Sequence, residues 1–295
     1  LEEEHYPLPE RTQETLEHAL LNIIAAFMER CQRKIRELIA ISVILPGLVD
    51  PESGVIRYMP HIQVENWGLV DALEKRFNVT CYVGHDIRSL ALAEHYFGAS
   101  HDCEDSILVR VHRGTGAGII SNGRIFIGRN GNVGEIGHIQ VDPLGERCHC
   151  GNFGCLETVA SLSALKKQAR VWLKSQPVST QLDPEKLTTA QLIAAWQSGE
   201  PWITSWVDRS ANTIGLSLYN FLNILNINQI WLYGRSCAFG ENWLNTIIRQ
   251  TGFNPFDRDE GPSVKATQIG FGLLSRAQQV LGIGYLYVEA QLRQI

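Results

Sequence analysis

The chain has 295 residues, of which 44% are hydrophobic and 19% are charged. This composition excludes a disordered chain, and the length suits one large or two ordinary domains with buried cores. The net charge of −5 argues against a polyphosphate-binding surface. Because no run approaches the roughly 18 apolar residues of a membrane span and no signal segment is recognisable, we predict a cytoplasmic protein without a membrane partner. Since the chain begins at Leu1 without Met, we expect it to be part of a longer protein.

Hydrophobic periodicity predicts helices and strands that alternate along the chain. Short runs rich in Ile and Val are typical of buried strands, and Asn122-Gly123 predicts a tight hairpin. In chain order we predict helix 12–34, strand 38–45, helix 69–77, strand 79–83, helix 87–97, strand 107–111, hairpin strands 118–121 and 125–127, helices 156–173, 188–197 and 201–225, strand 230–233, helix 242–250, strand 264–267 and helix 272–291. This alternation indicates an α/β protein with crossover connections.

A cluster of cysteines between Cys148 and Cys155 predicts a metal site. With Cys150 between them and His138 shortly before, the cluster offers three thiolates and one imidazole. Such a set fills a tetrahedral site, which favours structural Zn²⁺ over a catalytic zinc that keeps a position for water. His149 is a competing imidazole, but we expect it to point to the opposite side. The alternative interpretation is three ordinary buried cysteines.

The motifs around this cluster resemble the signature of the ROK family of sugar kinases and repressors. Glu135 and His138 form a Glu-x-x-His pair, and CxCGxxGCxE runs from Cys148 to Glu157. Pro46-Gly47, Asp86 and the Gly116-Ala117-Gly118 loop follow in the family's order, so the resemblance spans nearly the whole chain. Over residues 1–160 it is specific to the family's amino-sugar repressors, and from Ser161 onward only the general pattern remains.

This resemblance implies a two-lobed α/β fold of the actin and hexokinase type, a ribonuclease H-like ATPase fold, with a small structural zinc loop. Sugar would bind in the cleft between the lobes. We expect residues 1–111 to form the first lobe, completed by the C-terminal helix 272–291. Residues 112–271 would form the second lobe, which would hold the zinc loop and the effector residues.

The resemblance also implies which residues bind ligand. Asp86 falls where ROK kinases keep the general base, and His85 stands where they usually have Asn. Glu135, His138 and Glu157 fall where the family binds sugar hydroxyls, and each acidic residue taken alone would more often be a surface or capping group. The implied ligand-binding set is Gly47, His61, His85, Asp86, Arg113, Glu135, His138 and Glu157, and the implied zinc ligands are His138, Cys148, Cys150 and Cys155.

The nucleotide contacts of the kinases are not matched. Their phosphate-binding loop begins with Gly-Thr, where this chain has His112-Arg113, and side chains there keep phosphates away from backbone N–H groups. The Gly-Gly pair on the adenosine side reads Gly234-Arg235. The sequence therefore argues against ATP use.

A sugar site without nucleotide contacts indicates a sensor, and we predict the effector-binding and oligomerisation part of a repressor, not an enzyme. The expected partners are N-acetylglucosamine 6-phosphate, a second copy in a homodimer or tetramer, and operator DNA bound through a helix-turn-helix preceding this chain. Arg113 either holds the 6-phosphate or pairs with a surface carboxylate. The main alternative is an ATP-dependent N-acetylglucosamine or hexose kinase with Asp86 as base. A scaffold for a sugar-transport protein is a third.

Overall fold

The computed structural model describes residues 12–31, 38–50, 53–59, 62–129, 131–176, 182–252 and 267–292. The helices are α1 (Gln13–Cys31), α2 (Leu69–Phe77), α3 (Asp86–Phe97), α4 (Leu156–Ala160), α5 (Leu162–Ser175), α6 (Thr189–Gln197), α7 (Pro201–Leu225), α8 (Glu241–Thr251) and α9 (Arg276–Leu292). The strands are β1 (Ile41–Leu45), β2 (Leu48–Val49), β3 (Ile56–Tyr58), β4 (Cys81–His85), β5 (Ser106–Val111), β6 (Thr115–Ser121), β7 (Arg124–Ile125), β8 (Gln229–Tyr233) and β9 (Gln268–Phe271). Among the described residues, no helix is long and apolar enough to cross a membrane.

The chain divides into two compact units: unit 1 comprises residues 1–104, 119–133 and 273–295, and unit 2 comprises residues 105–118 and 134–272. In unit 1, β1 pairs in parallel with β4, and Ile41 lies opposite Cys81. A core that includes the fully buried Leu69 and Leu73 of α2 packs near this pair. Helices α3 and α9 pack against each other on the same unit.

Unit 2 is built on parallel strands covered by long helices. β5 pairs with β8, with Ile107 opposite Ile230, and β8 pairs in turn with β9. Within this unit the strand order is therefore β5-β8-β9. Helix α7 begins at Pro201, which needs no N–H partner at a first helical position, and ends before Asn226 in a left-handed conformation. Its buried stripe of Ile203, Val207, Ile214, Leu218 and Leu222 recurs at helical spacing.

Most predicted elements are confirmed, and the bounds of α2 and α7 are those predicted. The predicted helix 156–173 is instead two helices, because the Ser161 hydroxyl accepts the N–H of Ala164 and starts α5 anew. Residues 264–266 of the predicted last strand lie outside the described residues, and the strand observed there is β9. The border predicted at residue 111 also differs, since β5 lies in unit 2 through its pairing with β8.

The contact between α3 and α9 yields a test of the fold in unit 1. A Cβ at Gly282 would lie 2.4 Å from the carbonyl oxygen of Ser89, whereas a Cβ at Gly284 would meet nothing within 4 Å. We expect Gly282→Ala to destabilise the protein by about 1–3 kcal/mol through overpacking. Gly284→Ala should instead stabilise it by up to about 1 kcal/mol through helix propensity. Denaturant unfolding measures both, and shifts of the same sign would contradict the close contact.

Candidate metal centre and ligand site

The four predicted metal ligands come together in unit 2. The ligand atoms of His138, Cys148, Cys150 and Cys155 all lie within 4.8 Å of one another. The Sγ of Cys148 is 3.6 Å from Nδ1 of His138, and the Sγ atoms of Cys150 and Cys155 are 3.6 Å apart. A tetrahedral ion with bonds of about 2.3 Å to sulfur and 2.0 Å to nitrogen separates its ligand atoms by about 3.5–3.8 Å. The arrangement therefore fits a metal ion.

Backbone hydrogen bonds fold the loop around this cluster. The N–H of Cys148 donates to the carbonyl of Asn152, and the N–H of Gly151 donates to the carbonyl of Cys148. Gly154 has a positive φ of 61° and lies so close to Asp142 that a Cβ would be 1.4 Å from the Asp142 carbonyl oxygen. Only glycine fits this approach, which brings Cys155 at the start of α4 towards the other sulfurs.

The three thiols of the cluster differ in the direction in which their pKa is shifted. Burial raises the pKa of Cys155 to about 12, with hydrogen bonds to Cys150 and Cys148 adding to the effect. Burial likewise raises the pKa of Cys148, whereas the backbone N–H of Asn152 lowers that of Cys150. A cation is the natural counterpart of the buried thiols of Cys148 and Cys155, since metal binding replaces their protons and stabilises the thiolates.

Glu157 lies beside the cluster and has a polar neighbour at each carboxylate oxygen. Its Oε2 accepts the N–H of Thr115 at 3.0 Å, and its Oε1 is 3.3 Å from Nδ1 of His149. Gly114 leaves the space that the carboxylate occupies, because a Cβ there would be 2.5 Å from Oε2. Neither Thr115 nor Gly114 was among the predicted site residues. Their position directly after Arg113 is the sequence feature that could have identified them, because it places them in the turn that faces Glu157.

The prediction for His149 was wrong. Its ring does not point away: Nδ1 is 3.7 Å from the Sγ of Cys148, and the ring centroid is 5.0 Å from that of His138. The expectation assumed the alternation of an extended chain. Residues 148–151 form a turn instead, closed by the N–H of Gly151 on the carbonyl of Cys148, and a turn brings neighbouring side chains to one side.

The other predicted ligand residues of unit 2 are Arg113, Glu135 and His138. With Nδ1 of His138 towards the cysteines, its Nε2 lies 3.9 Å from Oε2 of Glu135, so the ring links the cluster to that carboxylate. Arg113 is exposed at the tip of the turn between β5 and β6. The turn is tight, since the N–H of His112 donates to the carbonyl of Gly114 at 2.8 Å. Unit 2 thus presents carboxylates, an imidazole and a cation.

The remaining predicted ligand residues lie in unit 1, except His61, which is outside the described residues. His85 caps α3, where its Nδ1 accepts the N–H of Ile87 at 3.3 Å, and Asp86 is the first residue of that helix. Gly47 has a φ of 120°, and a Cβ there would be 2.1 Å from the carbonyl oxygen of Tyr58. Position 47 therefore requires glycine because the backbone of β3 passes too close for a side chain.

Gly234 stands where the kinases have the first glycine of their adenosine-side pair. The structure gives a separate reason for glycine at this position. Its φ is 104°, and a Cβ would lie 2.2 Å from the carbonyl oxygen of Val111. The close approach of the chain at the ends of β5 and β8 thus requires glycine whether or not a nucleotide binds. Arg235, which follows it, is exposed.

Comparisons with known proteins place the chain in one protein family. The sequence model of the ROK family matches residues 1–263. The chain is 65% identical to YphH of Escherichia coli (strain K12) over 279 residues, covering 91% of this chain and 69% of that protein. It is also 65% identical to the DNA-binding transcriptional dual regulator NagC of the same organism over 234 residues, covering 79% of this chain and 57% of NagC. This match extends beyond the 160 residues over which a specific likeness was predicted.

A solved structure shows the same fold. It is a ROK family transcriptional regulator described as a homologue of the Escherichia coli MLC protein, with a TM-score of 0.80 and 30% sequence identity. The superposition covers 95% of this chain and 72% of that one. It confirms the predicted α/β fold class of the actin and hexokinase type.

Proposed function

The chain belongs to the ROK family, and from this premise we propose that it is the effector-binding part of a transcriptional repressor of amino-sugar utilisation genes. The proposed effector is a sugar phosphate, N-acetylglucosamine 6-phosphate. The protein is not an enzyme in this proposal. It acts in the cytoplasm, assembles with further copies of itself, and reaches operator DNA through a helix-turn-helix in a longer chain. The 65% identity to NagC, a DNA-binding regulator by name, supports this assignment.

The observation that carries the proposal is the Glu157 carboxylate beside the turn that bears Arg113. A carboxylate with two occupied lone-pair sites still has two that accept sugar hydroxyls. Gly114, whose backbone abuts Oε2 of Glu157, directly follows the exposed Arg113. One ligand with hydroxyls and a phosphate satisfies both groups, since arginine forms charge-assisted hydrogen bonds with phosphate.

We propose Zn²⁺ as the metal of the Cys148–Cys155 loop, with a structural role. Three thiolates and one imidazole suit Zn²⁺, and four protein ligands leave no position for a substrate. The metal would hold His138 and, through α4, Glu157 in register for the effector.

An ATP-dependent sugar kinase is the second candidate, and Asp86 at the start of α3 is the residue that favours it. A carboxylate there could take the proton of a sugar hydroxyl. The His112-Arg113 turn supports the sensor instead, because its half-buried histidine and exposed arginine replace the small residues that cradle phosphates.

Calorimetric titration separates the two candidates. The zinc-loaded protein is titrated in parallel with N-acetylglucosamine 6-phosphate, N-acetylglucosamine and ATP-Mg. A sensor binds the sugar phosphate and not ATP. Binding of free sugar and ATP together with release of ADP would establish the kinase and refute the sensor.

Arg113→Ala tests the phosphate contact. Because a hydrogen bond to a charged group contributes about 1.5–3 kcal/mol, we expect about 10- to 100-fold weaker binding of the sugar phosphate. Affinity for free N-acetylglucosamine should not change. Arg124→Ala, at an exposed position of β7, is the control and should leave both affinities unchanged. An unaltered ratio of the two affinities in Arg113→Ala would rule out Arg113 as the phosphate ligand.

A further inference from the structure

We propose that His149 positions the Glu157 carboxylate for its ligand, and that it does so without binding the metal. The inference deepens the proposed function in one respect, since it takes Glu157 as the acceptor of effector hydroxyls. The contacts that support it lie within unit 2 and involve no ligand.

The two oxygens of Glu157 have separate polar neighbours. Oε2 accepts the backbone N–H of Thr115 at 3.0 Å, and Oε1 faces Nδ1 of His149 at 3.3 Å. The last torsion of a glutamate side chain is broad, so a carboxylate with one donor can still rotate. The hydrogen bond at Oε2 and the polar contact at Oε1 together restrict both the position and the plane of the group. With only 19% of its side chain exposed, Glu157 would then present its remaining lone pairs in one direction.

His149 is close to the metal cluster but outside its ligand set. The group of four mutually close ligand atoms contains His138, whereas His149 belongs to a second group of three, with Cys148 and Glu157, that shares only Cys148 with the first. The His149 side chain is 54% exposed, against 27% for His138. The cysteines and His138 already provide the four ligands of a tetrahedral ion.

The metal loop also holds the His149 ring. The ring packs edge-to-face against that of His138 at 5.0 Å with an interplanar angle of 76°. Its backbone lies in the turn between Cys148 and Gly151, closed by a 3.0 Å hydrogen bond. The same loop that would surround the metal therefore sets the position of the imidazole beside Glu157, which would couple metal binding to the geometry of the ligand site.

Two substitutions separate positioning from packing. The amide nitrogen of asparagine branches from Cγ as Nδ1 of histidine does, so His149→Asn keeps a donor towards Glu157. His149→Leu fills similar space without a donor. For each variant we would measure zinc content, amide hydrogen exchange at Thr115 without ligand, and the affinity for N-acetylglucosamine 6-phosphate.

We expect zinc to stay at about one ion per chain in both variants. In His149→Leu, loss of about one hydrogen bond should speed Thr115 exchange and weaken sugar phosphate binding, each about tenfold. His149→Asn should restore both to within about threefold of the original protein. In a Glu157→Gln background, His149→Leu should have little further effect on affinity, because the two residues act together.

Unchanged Thr115 exchange in His149→Leu would overturn the proposal, as would loss of zinc from His149→Asn, which would make His149 a metal ligand. The exchange measurement needs no effector. If the original protein fails to bind the sugar phosphate while Thr115 responds as expected, the proposed effector is wrong and the positioning role of His149 stands.

Discussion

Cys155→Ser is expected to abolish the proposed zinc binding and to unfold the loop around the site. The side chain of Cys155 is fully buried, and its Sγ lies 3.6 Å from that of Cys150. Serine keeps the shape but replaces a soft thiolate with a hydroxyl that does not ionise near neutral pH. Because the metal's binding free energy is also folding free energy, we expect the protein to lose more than about 3 kcal/mol of stability.

Zinc content by atomic absorption and urea unfolding check this expectation together. We expect the metal to fall from about one ion per chain to nearly none. The matched control is Cys103→Ser, which changes a half-buried cysteine of unit 1 and should alter stability by less than about 1 kcal/mol. Full zinc occupancy in Cys155→Ser would show that Cys155 is not a ligand.

Gly154→Ala should have the next largest effect, for a backbone reason. The residue has a φ of 61°, and its new Cβ would lie 1.4 Å from the carbonyl oxygen of Asp142. The strands of the loop cannot separate without cost, since the carbonyl of Gly154 accepts the N–H groups of Val141 and Asp142. Strain and overpacking together predict a loss of more than about 3 kcal/mol and weaker zinc binding.

Gly151 provides the control within the same loop. Its φ is 97°, but a Cβ there would meet nothing within 4 Å. Gly151→Ala therefore suffers backbone strain alone, which is about 1–2 kcal/mol. Urea unfolding and zinc titration of the two variants compare them directly. Equal losses would mean that the close approach of Gly154 to Asp142 does not exist in solution.

Local sequence signals account for much of the fold. Helix α7 has its predicted bounds because Pro201 favours a first helical position and apolar residues recur at helical spacing through Leu222. The candidate metal ligands could also be predicted from the sequence, because cysteines so close in the chain need few long-range contacts to come together. The prediction joined α4 and α5 into one helix, because it did not recognise that the side chain of Ser161 caps a new helix there.

Composition, periodicity and motif spacing by themselves determined the α/β class, most of the helices and the candidate metal ligands, and the resemblance of the motifs to a known signature indicated the ROK family. These features depend on residues that are neighbours in the chain. Only the tertiary structure shows that β5 lies beside β8 and that His149 faces Glu157. It also shows that the carbonyl of Val111 leaves no room for a side chain at Gly234. Such contacts join residues far apart in sequence or depend on how a turn directs its side chains, so packing and hydrogen bonding decide them and no local pattern records them.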